Sequence, residues 1–103
     1  MVNKKDKTPR NKKGEAHGYW EMYHENGQLF CKGRYVNGIK DGYWEEYYIN
    51  GQLHYKGNFV NGEISGLWEV YYNNYGLAYK GKFVKNNRVG LWIENDKEVF
   101  YAN

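Results

Sequence analysis

The sequence predicts an all-β fold, a single-layer antiparallel meander of about eight strands made of repeated hairpins. Three observations carry this expectation. Trp20, Trp44, Trp68 and Trp92 stand 24 residues apart. Two glycine columns, Gly18/Gly42/Gly66/Gly90 and Gly33/Gly57/Gly81, keep the same interval. No segment carries the 3.6-residue apolar period of an amphipathic helix. A fixed period of this length marks a stacked array, in which one supersecondary unit is restated and each copy packs on its neighbours.

Taken in order, residues 1–13 read as a basic, solvated and mobile tail. Residues 1–17 hold six Lys/Arg and two Asp/Glu, a balance of +4, whereas 18–103 hold nine and ten, a balance of −1. The whole net charge of +3 therefore sits ahead of the repeats, in a stretch with no hydrophobic periodicity. The repeat domain is placed at 14–103. "GEAHG" at 14–18 matches "GIKDG" and "GEISG", so the array enters on a fragment of a unit. Three units follow (18–41, 42–65 and 66–89), then a shortened capping hairpin at 90–103.

Inside each unit Asn26-Gly27 and Asn50-Gly51 read as two-residue type I′ turns, because both central positions of that turn need positive φ. This choice sets the register. Glu21 faces Lys32, Trp20 faces Gly33, Met22 faces Cys31 and Tyr19 faces Arg34. The later units repeat it as Glu45–Lys56, Trp44–Gly57, Glu69–Lys80 and Trp68–Gly81. Opposite charges across a strand pair stabilise it by roughly 0.2–1 kcal/mol each, and an aromatic laid over a strand glycine shields exposed backbone. The third turn, Asn74-Tyr75-Gly76, has its glycine displaced by one place.

Alternation sorts side chains onto two faces. Trp44, Tyr48, Leu53, Tyr55, Gly57 and Phe59 fall on a packing face. Tyr43, Glu45, Tyr47, His54, Lys56 and Asn58 fall on a ladder face of charge pairs edged with tyrosine. Return turns at "VNGIKDG" and "VNGEISG" link the units.

"YKGNFVNGEISGLWEVYYNNYG", residues 55–76, resembles a MORN repeat, whose pattern places an aromatic, Gly, an aromatic and two further Gly at the positions of Tyr55, Gly57, Phe59, Gly62 and Gly66. Tyr79, Gly81 and Phe83 repeat it one unit later. Gly33, Tyr35, Gly38 and Gly42 do so one unit earlier, with Cys31 replacing the first aromatic. Trp two residues after the last motif glycine makes the repeat similar to its bacterial variant, over about residues 14–103. The resemblance implies a curved antiparallel sheet, often dimeric, used for protein contacts. Small bacterial relatives are commonly labelled antitoxins, and some eukaryotic ones are linked to phosphoinositide membranes.

Composition and motifs narrow the function. Mean hydropathy is −1.00, yet aromatics reach 19%, twelve of them Tyr, which is unlike a disordered chain. No apolar run reaches membrane-spanning length and no apolar signal core opens the sequence. The single Cys31 fits a reducing compartment, so the chain reads as cytoplasmic. His17, His24 and His54 fall apart from one another, and no zinc spacing, nucleophile elbow or phosphate loop is present. The reading is therefore of no enzyme and no cofactor or metal. Cys31 occupies the column of Tyr55 and Tyr79 and reads as a packing thiol.

What remains is binding by shape, with another protein as partner. Columns that are the same in every unit maintain the stack, and columns that vary are free to serve a partner. The variable columns Phe30/His54/Ala78 and Arg34/Asn58/Lys82 lie beside Tyr23, Tyr47 and Tyr71 on the expected ladder face. Tyr23, Phe30, Arg34, Tyr47, His54, Asn58 and Tyr71 are thus the candidate partner-binding residues. The expected role is stoichiometric occupancy of a partner protein, of inhibitor or antitoxin type, in a protein carried by a phage or mobile element. The rival readings are a membrane-surface adaptor reading anionic lipid through the basic tail, and a single-stranded nucleic-acid binder using tyrosine stacking.

Overall fold

The computed structural model describes residues 4–102, and within them the fold is all-β, with no helix. Eight strands run β1 (Gly18–Tyr23), β2 (Leu29–Val36), β3 (Ile39–Tyr47), β4 (Leu53–Val60), β5 (Glu63–Tyr71), β6 (Leu77–Val84), β7 (Asn87–Glu94) and β8 (Lys97–Tyr101). They pair in sequence order in one antiparallel sheet. Its extents of 43 × 30 × 15 Å leave room for one layer.

The core is a row of four indoles. Trp44 is 1% exposed and Trp92 is 0%, with Trp20 and Trp68 also buried. A one-layer sheet can bury them because of how each unit meets the next. Between β2 and β3, Lys32 pairs with Glu45 and Arg34 with Asp41, so the single residue Gly33 faces the three residues Gly42, Tyr43 and Trp44. Gly57 faces 66–68 and Gly81 faces 90–92 in the same way. Gly42, Gly66 and Gly90 turn through positive φ in these bulges, which only glycine does without steric cost. The bulge swings the indole flat onto the facing glycine. A Cβ on Gly33 would lie within the ring of Trp44, and one on Gly81 within the ring of Trp92.

This corrects the expected pairing of indole and glycine. Trp44 and Gly57 are Cα partners within their hairpin, but the indole that covers Gly57 belongs to Trp68. Each glycine is roofed by the following unit. The indole N–H of the three later units also donates ten residues back, Trp44 to the Arg34 carbonyl at 3.1 Å, Trp68 to that of Asn58 at 3.2 Å and Trp92 to that of Lys82 at 3.3 Å. Tyr35 and Phe83 stand between successive indoles, and Phe59 and Tyr101 pack on Trp68 and Trp92, all edge-on, the orientation favoured by ring quadrupoles. The Lys40 ammonium bridges Trp44 and Phe59 at 4.6 and 5.2 Å from their centroids.

The turns exchange roles relative to expectation. Asn37-Gly38 and Asn61-Gly62, in the return connections, have positive φ at both positions, as a type I′ turn requires. At the Asn26-Gly27 and Asn50-Gly51 tips only the glycine does. There Gly51 N–H bonds Tyr48 O at 2.9 Å and Tyr48 N–H bonds Gln52 O at 2.8 Å, closing a three-residue loop with a glycine bulge. The longer loop offsets the register by one, and a second irregularity between Glu46 and Tyr47 restores it. The central pairs expected from the sequence, such as Glu45–Lys56, are therefore all in place. The third tip has the same hydrogen bonds, with Tyr75 at φ 73° where Gly27 and Gly51 stand in the earlier tips.

Residues 4–13 also depart from expectation. They are tied to β1 rather than left without anything to pack on. Lys7 and Glu21 exchange both backbone hydrogen bonds (2.7 and 3.0 Å), and the Pro9 carbonyl accepts from His17 N–H and from the Trp20 indole at 2.9 Å. Asp6 accepts from Tyr23 N–H at 2.8 Å. Pro9 lies 24 residues before Gly33, so this segment acts as a degenerate preceding unit. Pro9 lies 3.2 Å from where a Cβ on Gly18 would stand, and Arg10 stacks on the Trp20 ring at 5.3 Å. Met1–Asn3 and Asn103, which belong to the expected tail and capping hairpin, lie outside the described residues.

Candidate protein-binding face

The face opposite the indoles is organised by a row of alternating charge across the strands. Lys7, Glu21, Lys32, Glu45, Lys56, Glu69 and Lys80 succeed one another as strand partners. The ion pairs that close within 4 Å run between units: Lys7–Glu21 at 3.7 Å, Lys32–Glu45 at 3.4 Å and Lys56–Glu69 at 3.8 Å. The ladder thus links each of the first three hairpins to the segment before it as well as setting its own register. At this exposure the Lys32–Glu45 and Lys56–Glu69 pairs contribute at most about 1 kcal/mol each.

Tyrosines flank the row and donate into it. Tyr23 bonds Glu21 at 2.9 Å, Tyr47 bonds Glu45 at 2.6 Å and Tyr43 bonds Glu45 at 2.7 Å; Tyr71 bonds Glu69. Each donor–acceptor pair is two residues apart along one strand, where side chains share a face. The electrostatics follow. The Tyr23 hydroxyl holds the Glu21 carboxyl below its ordinary value, assisted by Lys7. Burial pushes Glu45 up, but hydrogen bonds from Tyr47 and Tyr43 and the Lys32 ammonium outweigh it, so Glu45 also lies low. Burial, then the Glu45 carboxylate, pushes Tyr47 up to about 12. The bond to Glu69 raises Tyr71. These hydroxyls stay protonated and orient the tyrosine rings.

Of the candidate residues, Tyr23, Tyr47, Tyr71, Arg34 and Asn58 lie on this face. Arg34 pairs with Asp41 at 2.8 Å and is exposed, as is Asn58. Phe30 and His54 do not lie there, which corrects the sequence reading. At the irregularity beside each tip, Leu29 and Leu53 become the partners of Tyr23 and Tyr47, and the next residue turns to the indole side. Phe30 packs on His24 at 4.7 Å. His54 sits 2.9 Å from Glu46 Oε2 and 4.4 Å from the Tyr48 ring. Leu53 therefore belongs to the ladder face and His54 to the packing face.

The residues missed by the sequence reading are apolar. Leu67 is 75% exposed, Leu91 56% and Phe100 74%. Leu67 and Leu91 continue the column of Tyr19 and Tyr43, and Phe100 is the strand partner of Leu91. A shallow cleft of about 310 Å³ opens between the two leucines, floored by Gly81. The signal was present in the 24-residue period, since Tyr gives way to Leu in that column.

Elsewhere, burial pushes the Cys31 thiol up, away from a reactive thiolate. His17 Nδ1 accepts from Asn37 N–H at 3.0 Å in a return turn. Among the described residues no group of three or more His, Cys, Asp and Glu could hold a metal ion, and no helix is long and apolar enough to cross a membrane.

The fold and its two faces define a β-hairpin repeat array, one layer thick, with an indole face and a tyrosine–carboxylate face. No protein-family model and no curated protein matches this chain.

Proposed function

We propose that the chain is a non-catalytic protein-binding module, acting by stoichiometric occupancy of a partner protein through the ladder face. The observation that carries this reading is the exposure of Leu67, Leu91 and Phe100 on the face that also presents the tyrosine row. Exposed apolar surface edged by polar groups is characteristic of contact surfaces, and tyrosine supplies large contact area at low entropic cost. The MORN-like motif supports placing it with small antitoxin-like or inhibitor proteins of the bacterial cytoplasm, on a phage or other mobile element, with a homodimer as one assembly to examine.

The rival readings rest on the basic N-terminal segment. Lys7 is engaged by Glu21, and Arg10 by the Trp20 ring and the Gly14 carbonyl. Deleting the segment would also uncover Trp20, so charge is better removed in place. The experiment compares Tyr43→Ala/Leu91→Ala with Lys12→Gln/Lys13→Gln. Its readouts are co-purification of a host protein in fixed stoichiometry and binding to phosphatidylserine vesicles and single-stranded oligonucleotides. We expect the first variant to lose the protein partner, since interface aromatics often carry about 2 kcal/mol or more, and the second to retain it. Vesicle or oligonucleotide binding abolished by the lysine changes alone would overturn the reading.

A further inference from the structure

The first and third units treat the same two cations differently. In the first unit, Lys32 closes on Glu45 at 3.4 Å and Arg34 on Asp41 at 2.8 Å. In the third, the equivalent residues are Lys80 and Lys82, and the strand partners on the next unit are Ile93 and Val89. Both carboxylates are replaced by apolar side chains. Lys80 and Lys82 are exposed, and neither has an ion pair within 4 Å among the described residues. Glu69, the partner of Lys80 within its hairpin, closes on Lys56 and accepts from Tyr71.

The same substitutions open the cleft. Tyr43 reaches along its strand to bond Glu45. Leu67 has no hydroxyl to do the same, and Leu91 stands two residues from Ile93 rather than from a glutamate. The cleft over Gly81 is walled by Leu67, Leu91 and Ile93, with Lys80 and its strand partner Glu69 at its side, the latter already closed on Lys56. Lys82 lies between Leu67 and Val89 as their strand partner. Two cations without a closed ion pair among the described residues thus stand in a field of exposed aliphatic carbon; Glu98, the strand partner of Ile93, flanks it, and Phe100 extends it across β8.

From these two lysines, without ion pairs and set beside exposed aliphatic carbon, we infer that the β5–β8 half of the ladder face binds an acidic–apolar segment of a partner protein. An aliphatic or aromatic side chain enters the cleft over Gly81, and flanking carboxylates pair with Lys80 and Lys82. The bound segment supplies the negative charge that Glu45 and Asp41 supply in the first unit. Apolar burial holds the segment and the lysines select its charge, the division of labour seen in hot-spot interfaces with a polar rim. This inference rests on the ladder face being the contact surface.

The test uses the full chain and a random peptide library displayed on phage as the probe. Enriched peptides should pair Asp or Glu with Leu, Phe or Trp. Their affinity for Lys80→Glu/Lys82→Glu should fall about tenfold or more and should weaken with added salt. Ile93→Glu keeps both lysines but restores the missing carboxylate beside Lys80, and should also weaken binding. It serves as the second variant should the double change alter folding. Peptides lost in Tyr19→Ala/Tyr43→Ala but unaffected by the lysine and Ile93 changes would overturn the inference and leave the ladder-face reading standing. Binders indifferent to every ladder-face variant, or no binders at all, would overturn both. Phosphatidylserine vesicles that bind in place of peptides, through the same lysines, would show a lipid site and also overturn it.

Discussion

The first and third units have the same strands, the same bulges and the same indole-on-glycine contact, yet their outer faces differ. In the first, cations and hydroxyls on the ladder face are met by carboxylates from its own hairpin and the next. In the third, Glu and Asp have become Ile93 and Val89, Tyr has become Leu, and the tip glycine has become Tyr75. The backbone is indifferent to these changes because bulge and register are set from the other side, by Gly81 beneath Trp92. The indole face therefore carries most of the fold, and the ladder face can vary at a small cost to it.

Valine at the roofed glycine tests that division most severely. Gly33 and Gly81 have ordinary backbone angles, so their need for glycine is spatial: a side chain would occupy the volume of Trp44 or Trp92. Gly33→Val and Gly81→Val should each cost about 1–3 kcal/mol in chemical denaturation, with similar losses in the two units. An unchanged midpoint for either would mean that the indole contact does not hold that unit. Smaller, and opposite in sign, is the effect of restoring the tip. Tyr75 occupies a left-handed conformation at φ 73°, which disfavours an L side chain by about 1–2 kcal/mol. Tyr75→Gly should raise stability by about 0.5–1 kcal/mol after the added chain entropy of glycine. A loss of stability would indicate that the exposed ring contributes packing in the third unit.

The slightest effect should come from the ladder. Glu45 has a folded pKa below its ordinary 4.5. A depressed carboxyl favours the folded state fully above that value, and its contribution fades as pH falls through the folded pKa. Glu45→Gln should therefore lessen the fall of the thermal midpoint below pH 4.5, leaving the part that comes from the other lowered carboxyl, Glu21. A midpoint that falls as steeply in the variant would place the acid sensitivity outside the first unit's ladder.

Much of this architecture was legible in the sequence because the 24-residue period names the columns and the charge pairs name the register. Turn type was less so. Asn-Gly stands at both ends of the hairpin, but at the tip Asn26 uses its side chain, accepting from Gln28 N–H and donating to the Ile49 carbonyl, instead of a positive φ. That choice shifts pairing by one residue and sends His54 to the indole face. The role of residues 7–17 was hidden for another reason. Pro9 keeps the column of Gly33, and Arg10 that of Arg34, but no Trp precedes them to reveal the period. On the candidate face, the tyrosine row was readable from alternation. The cleft was not, since it arises from what Leu67 and Ile93 lack, and a missing hydroxyl or carboxylate leaves no motif.

The contact between each glycine and the following indole makes the array a ruler. The Trp20 indole donates to the Pro9 carbonyl before the first unit, and β8 pairs beside Trp92 after the third. Neither contact depends on how many copies lie between. A further 24 residues spliced in at any phase of the repeat would meet the same roof and the same floor. Each such addition would widen the sheet by two strand spacings, about 9.5 Å. The breadth of surface offered to a partner is thus set by copy number, in steps, and separately from the chemistry displayed at any one step.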